Sequence, residues 1–148
     1  MDAQLTDVLG LPADKPIKNG GGLAEDAVPY VANDDSVIVL PQRRKPLDPW
    51  LVRSNALDRV GILPGDVIEV DPSPETCENL KPLDKVIVQH MHADPNVLLA
   101  VTLLRQFVPP SLLVSNSSGK NDMPLDLERD EVHVRGVIVA VHRSVRGT

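Results

Sequence analysis

Short apolar runs separated by turn residues extend over most of the chain. They are rich in Val, Ile and Leu, and Gly, Pro, Asn or Asp residues end most of them, which is typical of β-strands. No internal repeat is present, and the close spacing predicts a mostly-β fold, a partly closed barrel of short strands. The runs lie at residues 37–40, 50–52, 67–70, 86–90, 97–104, 112–114 and 132–143.

Turn residues predict how several of these strands are connected. Pro64 presets one backbone angle, and Gly65 after it accepts a positive φ, so the two predict a tight turn. The runs at 86–90 and 97–104 flank a short polar segment and predict a hairpin. Gly136 lies inside the longest run, where a glycine predicts a bulge or a bend.

The first part of the chain lacks this pattern. Residues 1–11 form a short N-terminal segment with helical spacing of its apolar residues. Residues 12–35 contain the run Asn19–Gly22, three prolines and several charges, and they are predicted to be a flexible linker. The compact domain is then expected to span residues 36–148.

Composition narrows the classes of function. Apolar residues make up 42% of the 148, which favours a folded domain over a disordered one. The net charge of −6 makes the domain a poor binder of a phosphate backbone by itself. Cys77 is the single cysteine, and no apolar run approaches a membrane span of about 20 residues. These features predict a cytoplasmic protein. The basic run Arg43–Lys45 is expected to lie on a solvated loop.

A motif of strand, turn and strand follows Trp50. The run Trp50–Val52 leads into Ser54, Ala56 and Leu57, and a Gly-Ile-Leu-Pro-Gly-Asp turn and a second strand come next. This stretch resembles the core motif of the self-cleaving peptidase domain of LexA and CI-type phage repressors. When the two glycines of the turn are matched, the nucleophilic serine of that family falls on Ala56 and its methionine on Leu57. An alanine methyl group cannot attack a carbonyl.

Three further segments resemble the same family in the same order. They are residues 80–88, 113–117 and 130–143, so that the resemblance covers about residues 36–145. It implies a LexA/signal-peptidase-like β-barrel.

The resemblance also implies where the general base should lie. The family uses a serine–lysine dyad, and its lysine position falls on Thr102. Arg105 cannot replace it, because a guanidinium stays protonated. The linker contains neither the Ala-Gly nor the Cys-Gly dipeptide at which the family cleaves itself. The chain is therefore expected to be a pseudo-peptidase and not an enzyme. A laboratory exchange of serine for alanine would account for Ala56 but not for Thr102.

The function implied is that of a non-cleaving repressor-type C-terminal domain in transcriptional regulation, linked to a phage or mobile element. It would mediate self-association or association with a related repressor. DNA would be contacted only through a separate helix-turn-helix domain. Neither a cofactor nor binding to a membrane is expected. The resemblance places the dimer interface on the last strand. Its predicted residues are Val134, Val137, Val139 and Val141.

Two alternatives from other classes stay open. Ser54 lies two residues before Ala56 and would share a strand face with it, so it is the candidate nucleophile for an active peptidase. His90 and His92 put two imidazoles on one strand face, which is the candidate pair for a metal or small-molecule site. A third ligand cannot be named from the sequence.

Overall fold

The computed structural model describes residues 25–32, 38–91 and 100–144, and it confirms a mostly-β fold. Eight strands form one sheet in which each pairing is antiparallel. A single turn of 3₁₀ helix at Asp58–Val60 and the four-residue helix α1 at Pro74–Cys77 complete the described elements. The strands are β1 (Ala27–Pro29), β2 (Asp48–Val52), β3 (Val67–Asp71), β4 (Lys85–Met91), β5 (Ala100–Val108), β6 (Leu112–Val114), β7 (Leu125–Asp126) and β8 (Val132–His142).

The sheet is open, which corrects the predicted barrel. The strand order is β1-β2-β3-β8-β4-β5-β6-β7, so β1 and β7 are edge strands and no ladder joins them. The sheet is nevertheless curved, because the backbone N–H of Asp26, just before β1, donates to the carbonyl of Thr102 in β5 at 2.9 Å. Hydrophobic patterning fixes the strands, but it does not fix whether the ends of a sheet join.

β8 is the corner of the sheet. Its C-terminal half pairs with β3 and its N-terminal half with β4, and the register shifts on both sides near Gly136. A Cβ atom at position 136 would overlap Cγ1 of Val70 and lie 2.9 Å from the carbonyl oxygen of Asp71. A glycine is therefore required where β8 crosses β3, as the predicted bend implies.

Two apolar clusters lie on either side of this corner. Because side chains alternate along a strand, β4 contributes Ile87 to the first cluster and Val86 and Val88 to the second. Both clusters therefore depend on the same central strands. The first contains Ala27, Val52, Ala56, Leu57, Ile62, Ile68, Val70, Ile87 and Leu104; the second contains Val86, Val88, Phe107, Leu113, Val132 and Val137.

Other predictions have mixed outcomes. The predicted hairpin is confirmed, with β4 paired to β5 from Lys85–Gln106 to Met91–Ala100. Gly65 has the predicted positive φ, at 93°. The predicted strand at 37–40 is wrong over residues 38–40, which form no strand, whereas β1 lies inside the predicted linker. The predicted N-terminal segment, residues 1–11, lies outside the described residues.

Candidate functional site

The turn that carries Ala56 is closed by its own hydrogen bonds. The backbone N–H of Ala56 donates to Oγ of Ser54 at 3.2 Å. The carbonyl oxygen of Ala56 accepts from the backbone N–H of Asn116 at 2.8 Å. Ser54 therefore accepts a hydrogen bond that stabilises the turn, and this bond already occupies the backbone N–H of Ala56.

The side chain at position 56 belongs to the core. Ala56 is 8% exposed and its neighbour Leu57 is fully buried. Both pack in the first apolar cluster, together with Ala27 and Leu104. The position to which the resemblance assigns the nucleophile therefore holds a methyl group in apolar contact.

A second loop holds the same turn from outside. Ser118 donates to the carboxylate of Asp58 through its backbone N–H at 2.7 Å and through its hydroxyl at 2.6 Å. These two bonds lower the pKa of Asp58. The backbone N–H of Arg59 donates to the carbonyl of Asn116 at 3.2 Å. The loop of residues 115–122 thus fixes the turn in one conformation.

Asp66, which follows Gly65, stabilises the turn between β2 and β3. Its carboxylate accepts from the backbone N–H of Leu63 at 2.7 Å and pairs with the guanidinium of Arg143 at 2.6 Å. The side chain of Asp66 is 2% exposed, and this contact raises the pKa of Arg143. The last residues of the described chain are in this way tied to the turn after β2.

Thr102 lies in β5 and is buried. Its backbone N–H donates to a carboxylate oxygen of Glu25 at 3.0 Å, and its carbonyl accepts from the backbone N–H of Asp26 at 2.9 Å. Both polar atoms of its main chain are therefore bonded to the segment that precedes β1. The predicted base position is covered by the chain's own residues.

Arg105, three residues further along β5, has buried ionic contacts that the sequence did not predict. Its guanidinium donates to Asp26 at 3.0 Å, to Asp122 at 2.9 Å and to the carbonyl of Leu104 at 2.7 Å. The side chain is 3% exposed. A lone charge inside a strongly apolar run was the signal, because a buried arginine requires partners.

A cavity of about 350 Å³ lies beside this ion pair. Arg105, Asp26 and Asp122 form its polar wall. Leu103, Met123 and Leu125 form its apolar wall. The Nε atom of Arg105 is buried and has no hydrogen-bond partner among the described residues. The lining residues are Asp26, His90, Leu103, Arg105, Asp122, Met123 and Leu125.

The prediction of a metal pair at His90 and His92 falls partly outside the described residues. His90 lies at the end of β4 and lines this cavity, whereas His92 lies outside the described residues. In residues 25–32, 38–91 and 100–144, no group of three His, Cys, Asp or Glu side chains could hold a metal ion.

The four predicted interface valines differ in exposure. Val137 is 7% exposed and belongs to the second apolar cluster, against which Val134 packs. Val139 and Val141 are 52% and 41% exposed. Of these four valines, Val139 and Val141 are therefore the exposed ones.

The basic run stays at the surface, as expected, but two of its cations are paired. Arg43 donates to Glu69 at 2.6 Å and Lys45 to Asp71 at 2.8 Å. The bond from Arg43, followed by one from His142, lowers the pKa of Glu69. The bond from Lys45 and further donors lower the pKa of Asp71. The loop before β2 is thereby held over β3.

No protein-family model, no curated protein and no solved structure matches this chain. Among the described residues, no helix is long and apolar enough to cross a bilayer.

Proposed function

We propose that the chain is a non-cleaving repressor-type C-terminal domain of the LexA/CI kind, and that it mediates association in transcriptional regulation. The observation that carries the proposal is the state of the two positions where such a domain would hold its dyad. Ala56 packs in the apolar core, and the main chain of Thr102 is bonded to Glu25 and Asp26. Ala56 has no nucleophilic atom in its side chain, and Thr102 has no amine that could act as the base.

The geometry of Ser54 supports the same reading. A nucleophilic serine needs a base within hydrogen-bond reach of its hydroxyl. Oγ of Ser54 instead accepts the N–H of Ala56, a contact that closes the turn. The hydroxyl has an ordinary structural role.

The proposed activity is association through the end of β8. Val139 and Val141 are exposed apolar side chains on a strand whose remaining valines are buried or partly buried. Within the described parts of the chain, residues 138–142 pair with β3 on one edge and with no strand on the other, which leaves that edge open to a partner strand. The partner would be a second copy or a related repressor, and DNA would be bound by a separate helix-turn-helix domain.

Light scattering tests the association. The chain is expected to have twice the mass of a monomer at micromolar concentration. Val139→Asp with Val141→Asp is expected to give a monomer, because two carboxylates would be desolvated in the interface. Val39→Asp is the matched control, since Val39 is 82% exposed and lies in the loop before β2 rather than in β8. A wild-type chain that stays monomeric at the highest soluble concentration contradicts the proposal.

Intact-mass measurement tests the absence of cleavage. Incubation at alkaline pH would neutralise a dyad amine, and the proposal expects no cut in residues 12–29 under these conditions. A defined cut that disappears in Ser54→Ala would replace the proposal by the peptidase alternative.

A further inference from the structure

The gap between β2 and β5 is filled by one short segment, which we name the β1 strap, residues 25–30. On one side β1 pairs with β2, from Ala27–Val52 to Pro29–Trp50. On the other side the backbone N–H of Asp26 donates to the carbonyl of Thr102. The gap, here called the slot, therefore receives an extended peptide between two strands, as in β-strand addition.

The slot is selective for the side chains of the strap. The carboxylate of Asp26 accepts from the backbone N–H of Leu104 at 2.9 Å and from Arg105 at 3.0 Å, both in buried surroundings. The side chain of Ala27 is fully buried in the first apolar cluster. Glu25 accepts from the backbone N–H of Thr102. The slot thus recognises an acidic residue, an aspartate and a small apolar residue in succession.

The connection between the strap and β2 is tied to β3 by the side chains of Arg43 and Lys45. Residues 31–32 and 38–47 form no helix or strand. Val31 and Val39 are largely exposed. The hydroxyl of Tyr30 donates to the carbonyl of Ile38 at 2.8 Å. The pairing of β2 with β3, from Asp48–Val70 to Leu51–Val67, does not involve the strap.

We propose that the slot also accepts the β1 strap of a second copy of this chain, so that two chains can exchange straps. The exchanged contacts are identical to those within one chain, so exchange costs little beyond the entropy of association. Docking within one chain is favoured by an effective concentration on the order of millimolar, and exchange therefore dominates when that docking is weakened. The site is separate from Val139 and Val141 and does not depend on association through β8.

Complementation between two variants tests the exchange. Asp26→Ala has an intact slot and a defective strap, whereas Arg105→Ala has an intact strap and a defective slot. Both are made with Val139→Asp and Val141→Asp, so that the proposed β8 association does not contribute. Each variant alone is expected to be a monomer. Their equimolar mixture is expected to form a 1:1 heterodimer, because only there does a native strap meet a native slot.

A matched control uses an ion pair that the strap does not carry. Asp66→Ala and Arg143→Ala, in the same background, also remove a buried aspartate and its arginine. Their mixture is expected to stay monomeric. A heterodimer in this control as well, or none in the test mixture, overturns the proposal.

A peptide measurement covers the case in which the variants are poorly folded. A labelled peptide of residues 25–30 is expected to bind Asp26→Ala at least about tenfold more tightly than Arg105→Ala in fluorescence anisotropy. The same peptide with Asp26→Ala is the control and is expected to lose this preference. If the single variants unfold, mixing is expected to restore the β-sheet signal in circular dichroism. Equal binding by both variants, or a mixture that stays unfolded, overturns the proposal.

Discussion

Two ionic clusters fasten the chain before β2 to the sheet, and they differ in burial. In the pair of Asp26 with Arg105, the side chains are 12% and 3% exposed. In the pair of Glu69 with Arg43, the carboxylate is 4% exposed but the guanidinium is 38% exposed. Lys45, which pairs with Asp71, is 58% exposed. The pair of Asp26 with Arg105 has both charges out of water, whereas the pairs of Glu69 and Asp71 keep their cations in water.

This difference in burial indicates which ion pair holds the β1 strap in place and which ion pairs only restrain the loop before β2. Removing one partner of a buried pair leaves an uncompensated charge, which is costly. Removing a solvated cation leaves a carboxylate that still has other donors, such as His142 for Glu69. The strap should therefore depend on Arg105, and the loop before β2 should tolerate the loss of either cation.

The largest effect is expected for Arg105→Ala. It leaves the carboxylate of Asp26 without its cation and is expected to lower the free energy of unfolding by about 3 kcal/mol. Denaturant unfolding followed by circular dichroism measures this. Arg53→Ala is the control, because Arg53 is an exposed residue at the end of β2. Equal denaturation midpoints for Arg105→Ala and Arg53→Ala would contradict the expectation that the buried ion pair stabilises the fold.

The double variant Asp26→Ala with Arg105→Ala sharpens the same comparison. Because both charges disappear together, the loss should be smaller than the sum of the two single losses by at least about 1 kcal/mol. A complete double-mutant cycle by denaturant unfolding gives this coupling. Additive losses would mean that the two side chains stabilise the fold independently.

The ion pairs of Glu69 with Arg43 and of Asp71 with Lys45 should make the stability of the fold depend on pH. The pKa values of Glu69 and Asp71 are lowered in the folded state. Their contribution is therefore complete above the ordinary carboxylate pKa of about 4 and is lost as the pH falls below it. The stability difference between wild type and the double variant Arg43→Ala with Lys45→Ala is expected to shrink from pH 7 to pH 3. Thermal unfolding at each pH measures it, and a constant difference would contradict this assignment.

The smallest effects are expected for the single variants Arg43→Ala and Lys45→Ala. Each should shift the thermal midpoint at pH 7 by no more than about 3 °C, because solvated ion pairs contribute little. Differential scanning calorimetry beside Arg44→Ala, whose side chain is exposed, provides the reference. A shift as large as that of Arg105→Ala would show that burial is not what separates the clusters.

Local chemistry predicted the parts of the fold that depend on neighbouring residues. Alternating or continuous apolar runs identified β3, β4, β5, β6 and β8, and Pro64 with Gly65 identified a turn. The pair β4 and β5 followed from the polar segment between them. Each of these features depends on interactions within a few residues, which a sequence shows directly.

The strap and its slot could not be predicted in this way. Asp26 and Leu104 are 78 positions apart, and β1 is a strand of three residues after two acidic ones. Glu25 and Asp26 indicated a solvated linker, yet their carboxylates satisfy donors on β5. The charge of Arg105 in an apolar run required some partner, but the sequence could not say which.

The position of β8 between β3 and β4 also constrains how the protein is made. The ribosome completes β3 and β4 before residues 132–142 emerge, and until then neither strand has the neighbour that joins the two halves of the sheet. During synthesis the nascent chain therefore carries two bare strand edges, which other chains or a chaperone can bind. A stop codon before Val132 should accordingly yield aggregated or degraded product rather than a smaller folded protein.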